Sequence, residues 1–119
     1  MNYAIEKITN KILPQNLITY LNKYREFDIV VDGTIEKFDV LSMDAIYEHY
    51  LLQRDLFGYD IIPFAINDDD YLCVQFKNEK VIVIYWSTER ALESRNMAIF
   101  ALYESFDQFE RASRVSHSL

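Results

Sequence analysis

The chain has 119 residues, half of them hydrophobic, with only two glycines and two prolines; this suits one packed domain and excludes a disordered or linker-rich chain. A formal net charge of −7 excludes general binding to a phosphate backbone, which needs a basic face. It keeps a domain soluble and is compatible with a basic protein partner steered by opposite charge.

Ile5, Ile8 and Ile12 fall at i, i+3 and i+7 and predict an amphipathic first helix. Pro14 disfavours helix at Leu13 and suits a first turn. A second helix is therefore expected from near Pro14, with Leu17, Tyr20, Leu21 and Tyr24 as its buried stripe. Lys23 and Arg25 lie near its end, where cations suit the helix dipole. Residues 29–31 read as a strand, Asp32-Gly33 as the positive-φ pair of a tight turn, and 34–41 as the returning strand. Ser42 is placed to cap a third helix carrying Met43, Ile46, Tyr47, Tyr50 and Leu51 at helical spacing, with Gly58 as its stop.

The centre of the expected fold is 61–86. Three short apolar runs, 61–66, 71–76 and 81–86, are separated by Asn67-Asp68-Asp69-Asp70 and Lys77-Asn78-Glu79-Lys80. Val, Ile, Tyr and Phe bounded by turn residues predict strands, and breaks this short predict an antiparallel meander. The last run is apolar on both faces, which predicts a strand covered on both sides. Ser87 and Thr88 are then placed to cap a helical turn over 89–93. Residues 99–103 fit a last strand or a continuing helix, with strand the preferred reading. Ser105-Phe106-Asp107-Gln108 has the form of a capping box. It predicts a helix to about Ala112 that buries Phe106 and Phe109, and a tail, 113–119, that frays.

Asp68, Asp69 and Asp70 invite a metal reading. Counted from Asp68, an EF-hand-like loop would put Asp70 third and Glu79 twelfth. It would also put Leu72 fifth and Cys73 sixth, where a ligand and a glycine are needed. The pattern fails, and a solvated hairpin turn that can present an acidic patch is expected instead. His49 and His117 are far apart, with no Cys or His at ligand spacing, so no zinc site is expected. Cys73 with His49 would make a nucleophile and base, but no third group to orient them is evident. A cysteine in mid-strand reads better as a small buried hydrophobe, and a lone cysteine fits a reducing compartment. Two glycines cannot build a phosphate loop, a dinucleotide fingerprint or a GxSxG elbow. Of the nine tyrosines, Tyr20, Tyr24, Tyr47 and Tyr50 sit on helical stripes as core or boundary residues. Tyr71 and Tyr85, with Trp86, suit either a core or a protein interface. Without basic neighbours they do not form an RNA-stacking platform. No apolar run approaches the roughly 20 residues of a membrane helix, and Glu6 and Lys7 precede any signal-peptide-like run. A cytoplasmic protein is expected.

The order of these features resembles the SMI1/KNR4 family, the SUKH superfamily. Leu13-Pro14 opening a helix with Leu17, Tyr20 and Leu21 is similar to its "LP" helix. Ile62-Pro63-Phe64-Ala65 before an Asp-rich turn resembles its "iPFA-D" segment, with 71–76 and 81–86 as the strands that follow. Ser105-Phe106-Asp107-Gln108-Phe109 resembles its "SFeeF" helix start. The Asn-Gly-Gly usual after the LP helix is missing, and the nearest feature is Asp32-Gly33. The resemblance implies an α+β fold, a single mainly antiparallel sheet with flanking helices over 1–119. It implies no catalytic residues and no cofactor. It also implies the bacterial immunity-protein type, which binds and blocks a cognate toxin, often a nuclease; yeast-type relatives act as regulatory interaction proteins.

Residues and resemblance together lead to one principal expectation: a non-enzymatic domain that masks the basic cleft of a nuclease-type toxin. Its acidic groups would stand in for substrate phosphates. The expected contact residues are Asp68, Asp69, Asp70 and Glu89; no metal, no direct nucleic acid and no membrane are expected. The alternatives are a regulatory scaffold without a toxin partner and a small hydrolase using Cys73 or a carboxylate.

Overall fold

A computed structural model describes the backbone of residues 2–118 and the side chains of residues 4–113. Helix α1 (Asn2–Thr9) and α2 (Gln15–Lys23) lead into the hairpin β1 (Tyr24–Val31) and β2 (Thr34–Val40). Then come α3 (Met43–Phe57), the meander β3 (Ile61–Asn67), β4 (Asp70–Lys77) and β5 (Lys80–Trp86), and the short helices α4 (Thr88–Ala91) and α5 (Arg95–Ala98). Strand β6 (Ile99–Tyr103), α6 (Phe106–Ala112) and β7 (Arg114–Ser118) follow. Among the described residues the strands form one seven-stranded sheet in the order β6-β5-β4-β3-β2-β1-β7, antiparallel at every pairing. The fold is α+β, with a single antiparallel sheet and flanking helices, as expected.

Local chemistry explains most element ends. Ser42 Oγ accepts from Ala45 N–H at 3.1 Å, and Gly58, at φ +102°, closes α3 by donating its N–H to Arg54 O. Asp32 and Gly33 both take positive φ, as do Asn78 and Glu79, which is what tight hairpins between right-twisted strands require. Ser105 Oγ accepts from Gln108 N–H at 3.2 Å. The Gln108 amide, however, reaches Glu104 N–H rather than that of Ser105. Pro63 lies in a central strand, where a missing N–H is normally excluded. Here the β3–β4 register shifts between Pro63 and Ala65, and β2 pairs with β3 only at Ile66 and Ala65. Pro63 therefore sits at a bulge and beyond the reach of the β2 ladder.

The sheet curls around α6. The Phe109 ring meets Tyr103 of β6 at 5.9 Å, Phe64 of β3 at 5.3 Å and Phe27 of β1 at 5.0 Å. One side chain thus touches both ends of the six-strand meander. Phe38 of β2 and Tyr85 of β5 likewise meet at 6.1 Å. This concave face, with Ile5, Leu17, Tyr20 and Ile46 from the helices, is the larger core. The convex side of β3–β5 holds a second core of Phe57, Ile61, Tyr71, Cys73, Ile84, Trp86 and Ala98. Strand β5 serves both, with Val83 in one and Ile84 and Trp86 in the other, as its two apolar faces predict.

Several expectations need correction. Ile12 was expected on the buried stripe of α1 but is 83 % exposed, because Asn10 adopts φ +57° and the helix stops at Thr9. Tyr24 opens β1 rather than ending α2, and that strand starts five residues before the expected Ile29. Alternation of buried Phe27 and Ile29 with outward Glu26 and Asp28 supports it, although the charges obscure it in the sequence. Leu51 is 38 % exposed. Helix α5 was not expected; Ser94 Oγ caps it by accepting from Met97 N–H. The tail expected to fray instead supplies β7, whose backbone pairs with β1 from Tyr24 to Asp28. Without it the N–H and C=O groups along that edge of β1 would be unpaired. The side chain of His117 lies outside the described residues.

Candidate functional site

The β3–β4 turn is Asp68-Asp69, between the paired residues Asn67 and Asp70. Asp68 adopts φ +52°, a conformation that Asp tolerates because its short side chain bonds locally. Register in the next hairpin brings Tyr71 beside Trp86, so the turn comes to lie against the start of α4. There Ser87 Oγ accepts from Arg90 N–H and opens the helix. Asp68, Asp69, Asp70, Thr88, Glu89 and Leu92 consequently line one open hollow of about 330 Å³. All four expected contact residues are brought together there.

They do not have the same role. Asp70 is half-buried and engaged: Oδ2 accepts from the Tyr85 phenol at 2.5 Å and Oδ1 from Thr88 N–H at 3.0 Å. Thr88 Oγ1 also donates to Asp69 O. Burial first, then the bond to Asp70 and the charges of Asp70 and Glu36, hold the Tyr85 phenol well above its ordinary pKa. Asp70 is thus the bracket that joins the turn to α4. Asp68, Asp69 and Glu89 are the exposed acids of the hollow. Leu92, 86 % exposed, stands at its rim. Leu92 escaped the sequence reading; its only signal is an apolar residue inside a charged helical turn.

The Cys73 and His49 pairing does not form. Cys73 is fully buried in the convex core, and burial raises its thiol far from the thiolate that a nucleophile needs. His49 Nδ1 instead lies 2.9 Å from the Tyr71 hydroxyl, and the two rings pack edge to face. Among the described residues, no three His, Cys, Asp or Glu side chains converge as a metal-ligand set. No helix among them is long and apolar enough to cross a membrane. No protein-family model, curated protein or solved structure matches the chain.

Proposed function

We propose that the chain is a non-catalytic, cytoplasmic immunity protein that binds and neutralises a cognate nuclease-type toxin. The observation that carries this reading is the meeting of exposed Asp68, Asp69 and Glu89, from segments about twenty residues apart, around one hollow rimmed by Leu92. Exposed carboxylates gathered around one hollow suit a basic cleft built for phosphates, and an apolar side chain at the rim suits a partner's dry pocket. The net charge of −7 and the resemblance to the SMI1/KNR4 family support the same reading. Masking of the toxin's cleft, rather than chemistry, is the mechanism.

The experiment has two stages. Tagged protein captures partners from native lysate, and the purified product of any adjacent toxin-like gene is added in parallel. A basic partner with nuclease activity should lose that activity at one equivalent of this protein. The triple variant Asp68→Asn, Asp69→Asn, Glu89→Gln should associate about tenfold more slowly and with a flatter salt dependence. Undiminished nuclease activity in excess protein refutes neutralisation, and capture of housekeeping or signalling proteins alone points to a regulatory scaffold instead.

A further inference from the structure

Strand β6 is the outermost strand on one side of the sheet. Its sequence, IFALY, has no charge and no proline, the residues that usually guard such an edge. Phe100 is 37 % exposed, Ala101 is exposed, and an open hollow of about 530 Å³ runs beside Ile82, Ala101, Leu102 and Tyr103.

The direction of the free backbone groups follows from one bond. Ser87 N–H donates to Ala98 O at 2.9 Å, and the pairs Trp86–Ile99, Tyr85–Phe100 and Ile84–Ala101 follow in register. Antiparallel partners alternate between hydrogen-bonded and non-bonded pairs. The backbone of Phe100 therefore faces β5, and the N–H and C=O of Ile99 and Ala101 face outward. The register shift that follows, at Leu102, ends the straight stretch. What remains is its own complement. About a two-fold axis through Phe100, Ile99 of one copy stands opposite Ala101 of the other, and all four outward groups of each copy find a partner. The Phe100 rings become a cross-strand pair, the arrangement in which side chains approach most closely. Charge agrees with this direction. Arg90 lies over the Phe100 ring at 5.1 Å and Arg95 precedes the strand, whereas Glu104 follows it. Antiparallel approach sets the cationic start of one strand beside the anionic end of the other.

We propose that β6 is the interface of a two-fold homodimer, in which Ile99 and Ala101 of two copies pair and the antiparallel sheet continues across both chains. The inference does not depend on the toxin reading. So short an edge places the dimer in the weak, concentration-dependent class of interfaces.

Sedimentation or light scattering of the full chain from about 1 μM to about 1 mM, the range of weak association, tests this. The wild-type mass should rise from 14.2 kDa toward twice that value. Ala101→Lys, which restores a charged edge, should stay at the monomer mass with an unchanged circular-dichroism spectrum. Hydrogen exchange of the wild type supplies a second reading that no folding defect can confuse. The Ile99 and Ala101 amides should slow as concentration rises, whereas that of Phe100, already bonded to β5, should not change. A wild type that stays monomeric leaves this edge to solvent or to a different protein and overturns the proposal. So does a dimer that persists in Ala101→Lys or that protects other amides.

Discussion

The Tyr85 phenol on β5 donates to Asp70 at the start of β4, and the other carboxylate oxygen of Asp70 accepts from the backbone of Thr88. Three segments are thereby joined by one acid, so Asp70 is a stability residue among otherwise exposed acids. Hydrogen bonds to charged groups contribute about 1.5–3 kcal/mol each when shielded, and partial exposure reduces that. Asp70→Ala should cost about 2 kcal/mol and lower the melting temperature by several degrees. Tyr85→Phe should cost about half as much, since the bond to Thr88 survives. Thermal melts of both variants check this; an Asp70→Ala protein as stable as wild type would show that the bracket holds nothing.

The neighbouring acids should behave in the opposite way. Asp68, Asp69 and Glu89 are exposed, and substitutions at such positions usually stay within about 0.5 kcal/mol. The triple neutralised variant should therefore melt with wild type while losing association rate with the toxin partner proposed above. A fall in melting temperature comparable to that of Asp70→Ala would assign the three acids to the fold rather than to recognition.

Much of this was legible in the chain, and the reasons are local. Asp32-Gly33, Ser42, Gly58 and Ser105 are residues whose side chains, or lack of one, force a turn or a cap, and each does so where expected. The meander was legible because Asn67 to Asp70 and Lys77 to Lys80 interrupt apolar runs of strand length. What stayed hidden depends on distant partners. The existence of β7 is fixed by pairing with residues some ninety positions away, and the period-two alternation that extends β1 is masked by the charges of Glu26 and Asp28. The site was half legible. The Asp run advertised itself, but its division into one bracket and two exposed acids is set by Tyr85 and Thr88, whose approach follows from the β4–β5 register. Leu92 joins them only because α4 packs beside the turn.

Gly58 and Arg95 form a second long-range pair. The Arg95 guanidinium bonds Phe57 O, where a cation suits the negative end of α3. A Cβ at Gly58 would collide with that guanidinium, and the residue sits at φ +102°. Gly58→Ala should cost about 1–3 kcal/mol from backbone strain and the clash. Arg95→Ala should also destabilise, by loss of the carbonyl's partner. The two should be less than additive, because the alanine at 95 removes the clash but not the strain. Denaturant titrations of the four-member cycle check this; strict additivity would mean that the side chain moves aside freely.

Tyr20 makes the alkaline limit of stability predictable. It is buried among Phe27, Phe106 and Phe109, and its hydroxyl donates to Ser113 Oγ at 3.0 Å. Burial raises its pKa from 10.0 to about 12, outweighing the opposing pull of the Ser113 bond. The folded state therefore holds the neutral phenol more tightly than the unfolded chain does. Its contribution is complete below pH 10 and is lost as pH rises from there toward 12, where the unfolded state releases a proton that the folded state keeps. Tyr50, Tyr71, Tyr85 and Tyr103 are also raised, each chiefly by burial, and act in the same direction. Stability measured by denaturant titration should fall steeply above about pH 10, the ordinary tyrosine value. In Tyr20→Phe the starting stability should be lower, for want of the Ser113 bond, but the alkaline fall should be shallower. An identical slope in the two proteins would mean that Tyr20 ionises as readily in the fold as outside it.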